Sequence, residues 1–210
     1  FTLAGLEKCI KGWAPKAKIP IGGYAPDEVF VFNGGFSGPL NRLSVRGKAK
    51  SGAGGLSTTL DIRNLIDKNR AIAIGGDIST DNLDIGKILN IKKLGECSLK
   101  TTMSASLGKS GQSVNIDSIK IFKLKALGYE YHDIAAIGKY EDEAFDGKIV
   151  CSDPNLNFIF QGTFTPSAKR KNAVYQFYAN VGYANLHALN IDKKEPSGLS
   201  LKTMANFKVV

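Results

Sequence analysis

The chain has little of what enzymes and metal proteins usually rely on: two histidines and three cysteines in 210 residues. Cys9, Cys97 and Cys151 are widely and irregularly spaced, which is no disulfide framework. With no CxxC pair, a structural zinc site is not expected. Cys97 and Cys151 fall in strand-like stretches and read as small buried hydrophobes. His132, in Glu130-Tyr131-His132-Asp133, and His187, between Leu186 and Ala188, have no local partners at a triad or metal spacing. Both read as strand histidines without a ligand role. No apolar run is long enough to span a bilayer, and no secretory leader is present. Beginning at Phe1, the chain reads as a piece of a mature or larger protein.

Phosphate and calcium signatures are missing as well. Gly108-Lys109-Ser110 has Met103 where a P-loop needs glycine, and it sits at a hairpin tip. The pairs Gly22-Gly23, Gly34-Gly35, Gly54-Gly55 and Gly75-Gly76 lack the GxGxxG order and read as turns or bulges. Glu141-Asp142-Glu143 lacks the ligand alternation and central glycine of an EF-hand, so it reads as a turn. No catalytic residue, metal or cofactor is expected.

Charge is the one bias. Lys and Arg number 28 against 19 Asp and Glu, a net charge of +9. Most basic residues are scattered, as on a solvated sheet face where lysine discourages edge-to-edge aggregation. The tightest cluster, Lys169-Arg170-Lys171, falls between two strand patterns and reads as an exposed loop. Phe122 lies among lysines, but no RNP-like run accompanies it, so nucleic acid is not an expected partner.

Two short helices are expected. Leu3, Leu6, Cys9, Ile10 and Trp13 form an apolar stripe at helical spacing, closed by Pro15. The second follows Asp77-Ile78-Ser79-Thr80-Asp81. There Ser79 or Thr80 caps, Leu83, Ile85, Ile88 and Leu89 give the apolar side, and Gly86 limits it to about two turns.

Nearly all the rest alternates with period two. Leu156, Phe158, Phe160, Gly162 and Phe164 share one face, while Asn157, Ile159, Gln161 and Thr163 share the other. The alternation returns at 56–62, 97–107, 145–151, 175–181 and 199–209. It means strands with one dry and one wet face. The links are short and turn-like, as in Ser152-Asp153-Pro154-Asn155, which favours an antiparallel meander over parallel crossovers. The expected fold is mostly β: an antiparallel meander forming an elongated, curved sheet or groove with two short helices. Residues 1–28 make a helix and linker at its edge, and 29–210 make the β-groove itself. Small dry-face residues such as Gly138, Gly147, Gly162 and Ala179 mark bends or close approaches. The residues expected to line the apolar groove are Phe145, Ile149, Leu156, Phe158, Phe160, Phe164, Tyr175, Phe177 and Val181. The same alternation would also serve a closed β-sandwich of a structural or adhesive surface domain.

From Leu127 to Phe207 the order of motifs adds a resemblance. Gly128-Tyr129-Glu130-Tyr131-His132-Asp133-Ile134 leads to Ile137-Gly138-Lys139-Tyr140. Phe145-Asp146-Gly147, Ser152-Asp153-Pro154-Asn155-Leu156 and Phe160-Gln161-Gly162 follow. Ala184-Asn185-Leu186-His187-Ala188-Leu189-Asn190 and Ala205-Asn206-Phe207 close the series. This order resembles the TamB family of translocation and assembly module proteins, of the AsmA-like group, in a Bacteroidetes-type form. Phe36-Ser37-Gly38-Pro39-Leu40-Asn41-Arg42-Leu43-Ser44-Val45 looks like another unit of it, as does Asp77-Ile78-Ser79-Thr80. The likeness covers about residues 29–210, and the chain lacks the family's membrane anchor and full length. The resemblance implies a taco-like β-trough with an apolar inside and no catalytic residues. It also implies a periplasmic place in the cell envelope within a membrane-anchored parent. The implied role is phospholipid transport or outer-membrane protein assembly, with phospholipid or nascent outer-membrane strands and an assembly barrel as partners.

Overall fold

The computed structural model describes residues 2, 4–5, 8, 28–67, 69–108, 111–141, 144–165, 173–192 and 197–209. Eleven strands follow one another in space in the order of the chain. They are β1 (Val31–Ser37), β2 (Arg42–Ser51), β3 (Gly54–Arg63), β4 (Ile72–Asp84) and β5 (Leu94–Leu107), then β6 (Gln112–Ala126), β7 (Tyr129–Glu141) and β8 (Ala144–Asp153), then β9 (Leu156–Thr165), β10 (Ala173–Asn185) and β11 (Gly198–Val209). Every neighbouring pair is antiparallel, and the sheet does not close on itself. The expected mostly-β meander is thus present, as one layer. No second sheet covers it among the described residues, so its dry faces do not pack on one another as in a sandwich.

Register explains why alternation yields two distinct faces. Residues directly opposite in a ladder point to the same side. Following partners from strand to strand gives an unbroken apolar row across β1 to β10: Phe36, Val45, Leu60, Gly76, Met103, Ile116, Gly138, Gly147, Gly162 and Phe177. The row beside it runs Leu43, Ile62, Ile74, Ala105, Val114, Tyr140, Phe145, Phe164 and Tyr175. A one-residue slip in any strand would exchange such a row for polar residues, which is why the pairing is so strongly specified.

The core lies along one rim of the sheet. There Phe30, Ala49 and Leu83 cluster with Phe32, Leu56, Ile85 and Ile88 around helix α1 (Ile85–Leu89). Further along the same rim, Tyr131, Ala184 and the fully buried Leu189 cluster with Leu124, Leu156 and Val181 beneath the turn at 186–190. Away from these caps the dry side has no cover among the described residues.

Helix α1 is shorter than the sequence suggests and starts later. Ser79 and Thr80 do not cap it; they remain in β4, paired with Ser57 and Leu56 on one side and Lys100 and Leu99 on the other. The cap is Asp84, whose Oδ1 accepts from the Lys87 amide at 2.8 Å. The ladder to β3 holds the chain extended to Asp81, and that to β5 resumes after a bulge and holds it to Asp84, where α1 begins. Most of the helix expected over Leu3–Trp13, with Cys9, lies outside the described residues, as does Lys169-Arg170-Lys171.

Candidate apolar binding face

The nine residues expected to line a groove all come from β8, β9 and β10, and the ladders set them on one side. Phe145 stands opposite Phe164, which stands opposite Tyr175. Ile149 is opposite Phe160, Gly162 opposite Phe177, and Phe158 opposite Val181. Ring centroids are 4.9 Å apart for Phe164–Tyr175 and 5.3 Å for Phe160–Phe177. Leu156 and Val181 pack under the 186–190 turn, whereas Phe145, Ile149, Phe160, Phe164, Tyr175 and Phe177 lie beyond it. Phe164 remains 42 % exposed although it belongs to the apolar row.

Glycine lets the rings lie flat. The Phe145 Cζ is 2.5 Å from the place a Cβ on Gly147 would take, and the same ring covers Gly138. At the other end, Phe32 covers Gly34 and Gly47, again 2.5 Å from a Cβ built on Gly47. Any side chain at these glycines would lift the ring off the sheet. The expected close approach is therefore an aromatic ring on bare backbone, a device that shields glycine strands. The sequence carries its signature as aromatic-x-Gly in Phe32-Asn33-Gly34 and Phe145-Asp146-Gly147.

The candidate set covers only one end of the dry face. Phe36, Val45, Leu60, Met103 and Ile116 continue it over β1 to β6, and Phe36 is 65 % exposed. Leu60 and Met103 lie in stretches that alternate by themselves, and the cross-strand register places all five in the same row.

A depression lies mostly on the other side. It holds about 880 Å³ over β2 to β8 and none of the nine residues lines it. Its lining mixes hydroxyls (Ser57, Thr59, Ser79, Thr102, Ser118) and the side chains of Lys48, Lys100, Lys120 and Lys148 with apolar residues such as Ile78, Ile119, Ile137 and Val150. Those four lysines make no ion pair among the described residues. Lys100 and Lys120 face each other across the ladder and lie 6.0 and 5.3 Å from the Phe122 ring centre, a cation–π arrangement. Asp77, the one carboxylate there, accepts from the Thr102 hydroxyl. The wet face is not uniformly polar, for Ile137, Val150 and Ile159 lie on it over β7 to β9.

The groups that could do chemistry are held in structural roles. Burial pushes the Cys97 and Cys151 thiols up, so both stay protonated and poorly nucleophilic. The His132 ring meets the Phe122 carbonyl at Nδ1 and Glu130 at Nε2, 3.2 and 3.4 Å away. His187 lies in the 186–190 turn and not in a strand. Among the described residues no three His, Cys, Asp or Glu side chains converge as a metal site. In comparisons with known proteins, no family model, no curated protein and no solved structure matches this chain.

Proposed function

We propose that this chain is a non-catalytic segment of a cell-envelope bridge whose dry face shields phospholipid acyl chains in transit across the periplasm. The observation that carries the reading is the apolar row that crosses ten strands, with cover among the described residues only at one rim. A single sheet that exposes this much apolar surface calls for an occupant. The dimensions suit one. β5 and β6 have 14 and 15 residues, roughly 46–50 Å at about 3.3 Å per residue. One leaflet's hydrocarbon depth is about 15 Å. Each methylene taken from water contributes about 0.8 kcal/mol. In this reading the parent protein is membrane-anchored, and an outer-membrane assembly barrel is a neighbour.

A photo-crosslinking amino acid at Phe160, with a wet-face control at Gln161, tests it in vesicles containing labelled phospholipid. The expected result is a lipid adduct from position 160 and little from 161. Equal labelling from both faces, or none from either, rejects the reading. Adducts to protein strands with no lipid would move the role to outer-membrane protein assembly.

A further inference from the structure

The wet face is not flat. Beside the depression of about 880 Å³ lies a second of about 580 Å³ over β2 to β6. Lys48, Ser57, Ser79 and Lys100 line both. The ladders show why these four go together. Lys48 stands opposite Ser57, Ser57 opposite Ser79, Ser79 opposite Lys100, and Lys100 opposite Lys120. One row thus crosses five strands, with short serines on β3 and β4 between long lysines on β2, β5 and β6. The next row on this face runs Thr59, Asp77, Thr102 and Ser118. Small side chains flanked by long ones leave a trough across the strands.

Its charges lack internal partners. Like charges directly opposite in a ladder repel, yet Lys100 and Lys120 are paired in this way with no carboxylate beside either among the described residues. The Phe122 ring holds both ammonium groups over the trough. Lys48 lies three strands from Lys100, about 14 Å away at about 4.8 Å per strand. By contrast Lys87, Lys123, Lys125 and Lys139 each have a carboxylate. The larger depression also holds one acceptor. Asp77 takes the Thr102 hydroxyl on Oδ1 at 2.7 Å, and its Oδ2 has no hydrogen bond among the described residues.

We propose that this trough binds an anionic polysaccharide lying across β2 to β6. The lysines meet its acid groups at intervals along the chain. The serine and threonine hydroxyls, which both donate and accept, meet its hydroxyls. Asp77 Oδ2 accepts from one of these. Phe122, 39 % exposed, offers a flat apolar surface to a sugar ring. An acidic peptide fits less well. Strands β2 to β6 are paired on both sides, so no backbone groups are left for its amides, and Asp77 repels its carboxylates.

The test is calorimetric titration of the whole chain with tetragalacturonate, neutral maltotetraose and tetraglutamate. The acidic tetrasaccharide should bind at least about tenfold more tightly than the neutral sugar or the peptide. Lys100→Gln with Lys120→Gln should weaken it at least about tenfold. Lys48→Gln with Lys148→Gln is a second variant and should weaken it in the same direction. Lys92→Gln with Lys93→Gln removes the same charge from the turn before β5, away from both depressions, and should cost less than about twofold. No binding of tetragalacturonate, equal binding of the neutral sugar or of tetraglutamate, or equal losses from all three lysine pairs overturns the proposal. The trough lies on the side away from the dry face and the titration contains no lipid, so its outcome is independent of the lipid reading.

Discussion

A carboxylate with 4 % of its surface exposed must find its partners inside the protein, and Asp153 does so. Its Oδ1 accepts from the Tyr129 hydroxyl at 2.6 Å and the Asn155 amide at 2.8 Å, and its Oδ2 from the His132 amide at 2.8 Å. The Asn155 side-chain amide donates in turn to the Tyr129 oxygen at 3.1 Å. Burial, and then the neighbouring Asp153, raise the Tyr129 phenol, so it stays a donor. One side chain thus closes the β8–β9 turn and fixes it to the start of β7. Asp153→Ala would leave three donors short of an acceptor in a largely dry place. The expected cost is about 3 kcal/mol, measured as a lower urea midpoint with an unchanged slope. A loss below about 1 kcal/mol would mean that water replaces the carboxylate. The turn at Ser152-Asp153-Pro154-Asn155 is legible in the sequence from residue types. The anchoring role is not, because Tyr129 and His132 belong to a strand that only the β7–β8 register brings alongside.

At the scale of elements, α1 shows what a local pattern misses. Asp77-Ile78-Ser79-Thr80 carries good capping residues, yet the ladders to β3 and β5 outweigh a cap of about 1 kcal/mol. A five-residue helix has little stability of its own and depends on tertiary contacts. One of them is Glu28, which accepts from Lys87 Nζ at 2.7 Å and from the Ala53 amide at 2.9 Å, joining α1 to the β2–β3 turn. The Lys87 hydrogen bond is the main reason the Glu28 carboxyl titrates below its ordinary 4.5. A lowered folded pKa fixes the sign. The contribution is fully present above pH 4.5 and is lost as pH falls through the lower folded value. Thermal melts of the wild type and Glu28→Gln should differ at pH 7, and the gap should close in acid. A gap independent of pH would show that the ionised carboxylate is not what holds the helix. Neither partner of this pair is recognisable in the sequence, since Glu28 and Lys87 are joined only by the fold.

For the whole molecule, periodicity and short links make the strand order readable, whereas the number of layers is not. Leu156-x-Phe158-x-Phe160 would look the same beneath a second sheet, because alternation records which side is dry and not what dries it. The single layer has its own thermodynamic consequence. Backbone packing runs from each strand to the ones before and after it, and only the side-chain clusters at the capped rim reach further, Ala49 to Leu83 and Tyr131 to Ala184. Such a chain of neighbours behaves as a nearly one-dimensional stack, where stability is the sum of adjacent interfaces. Strands β5, β6 and β7 have 14, 15 and 13 residues and a partner on each side, whereas β1 has 7 and lies at an edge. Native-state hydrogen exchange should therefore be graded, slowest in β5 to β7 and faster towards β1 and β11, with the β1–β2 hairpin opening on its own. The rims capped by Leu83 and Leu189 should exchange more slowly than the uncapped ends of the same strands. Uniform protection across all eleven strands, with equal calorimetric and van't Hoff enthalpies, would show one cooperative core. That outcome would mean that the two rim clusters couple the strands along the whole layer.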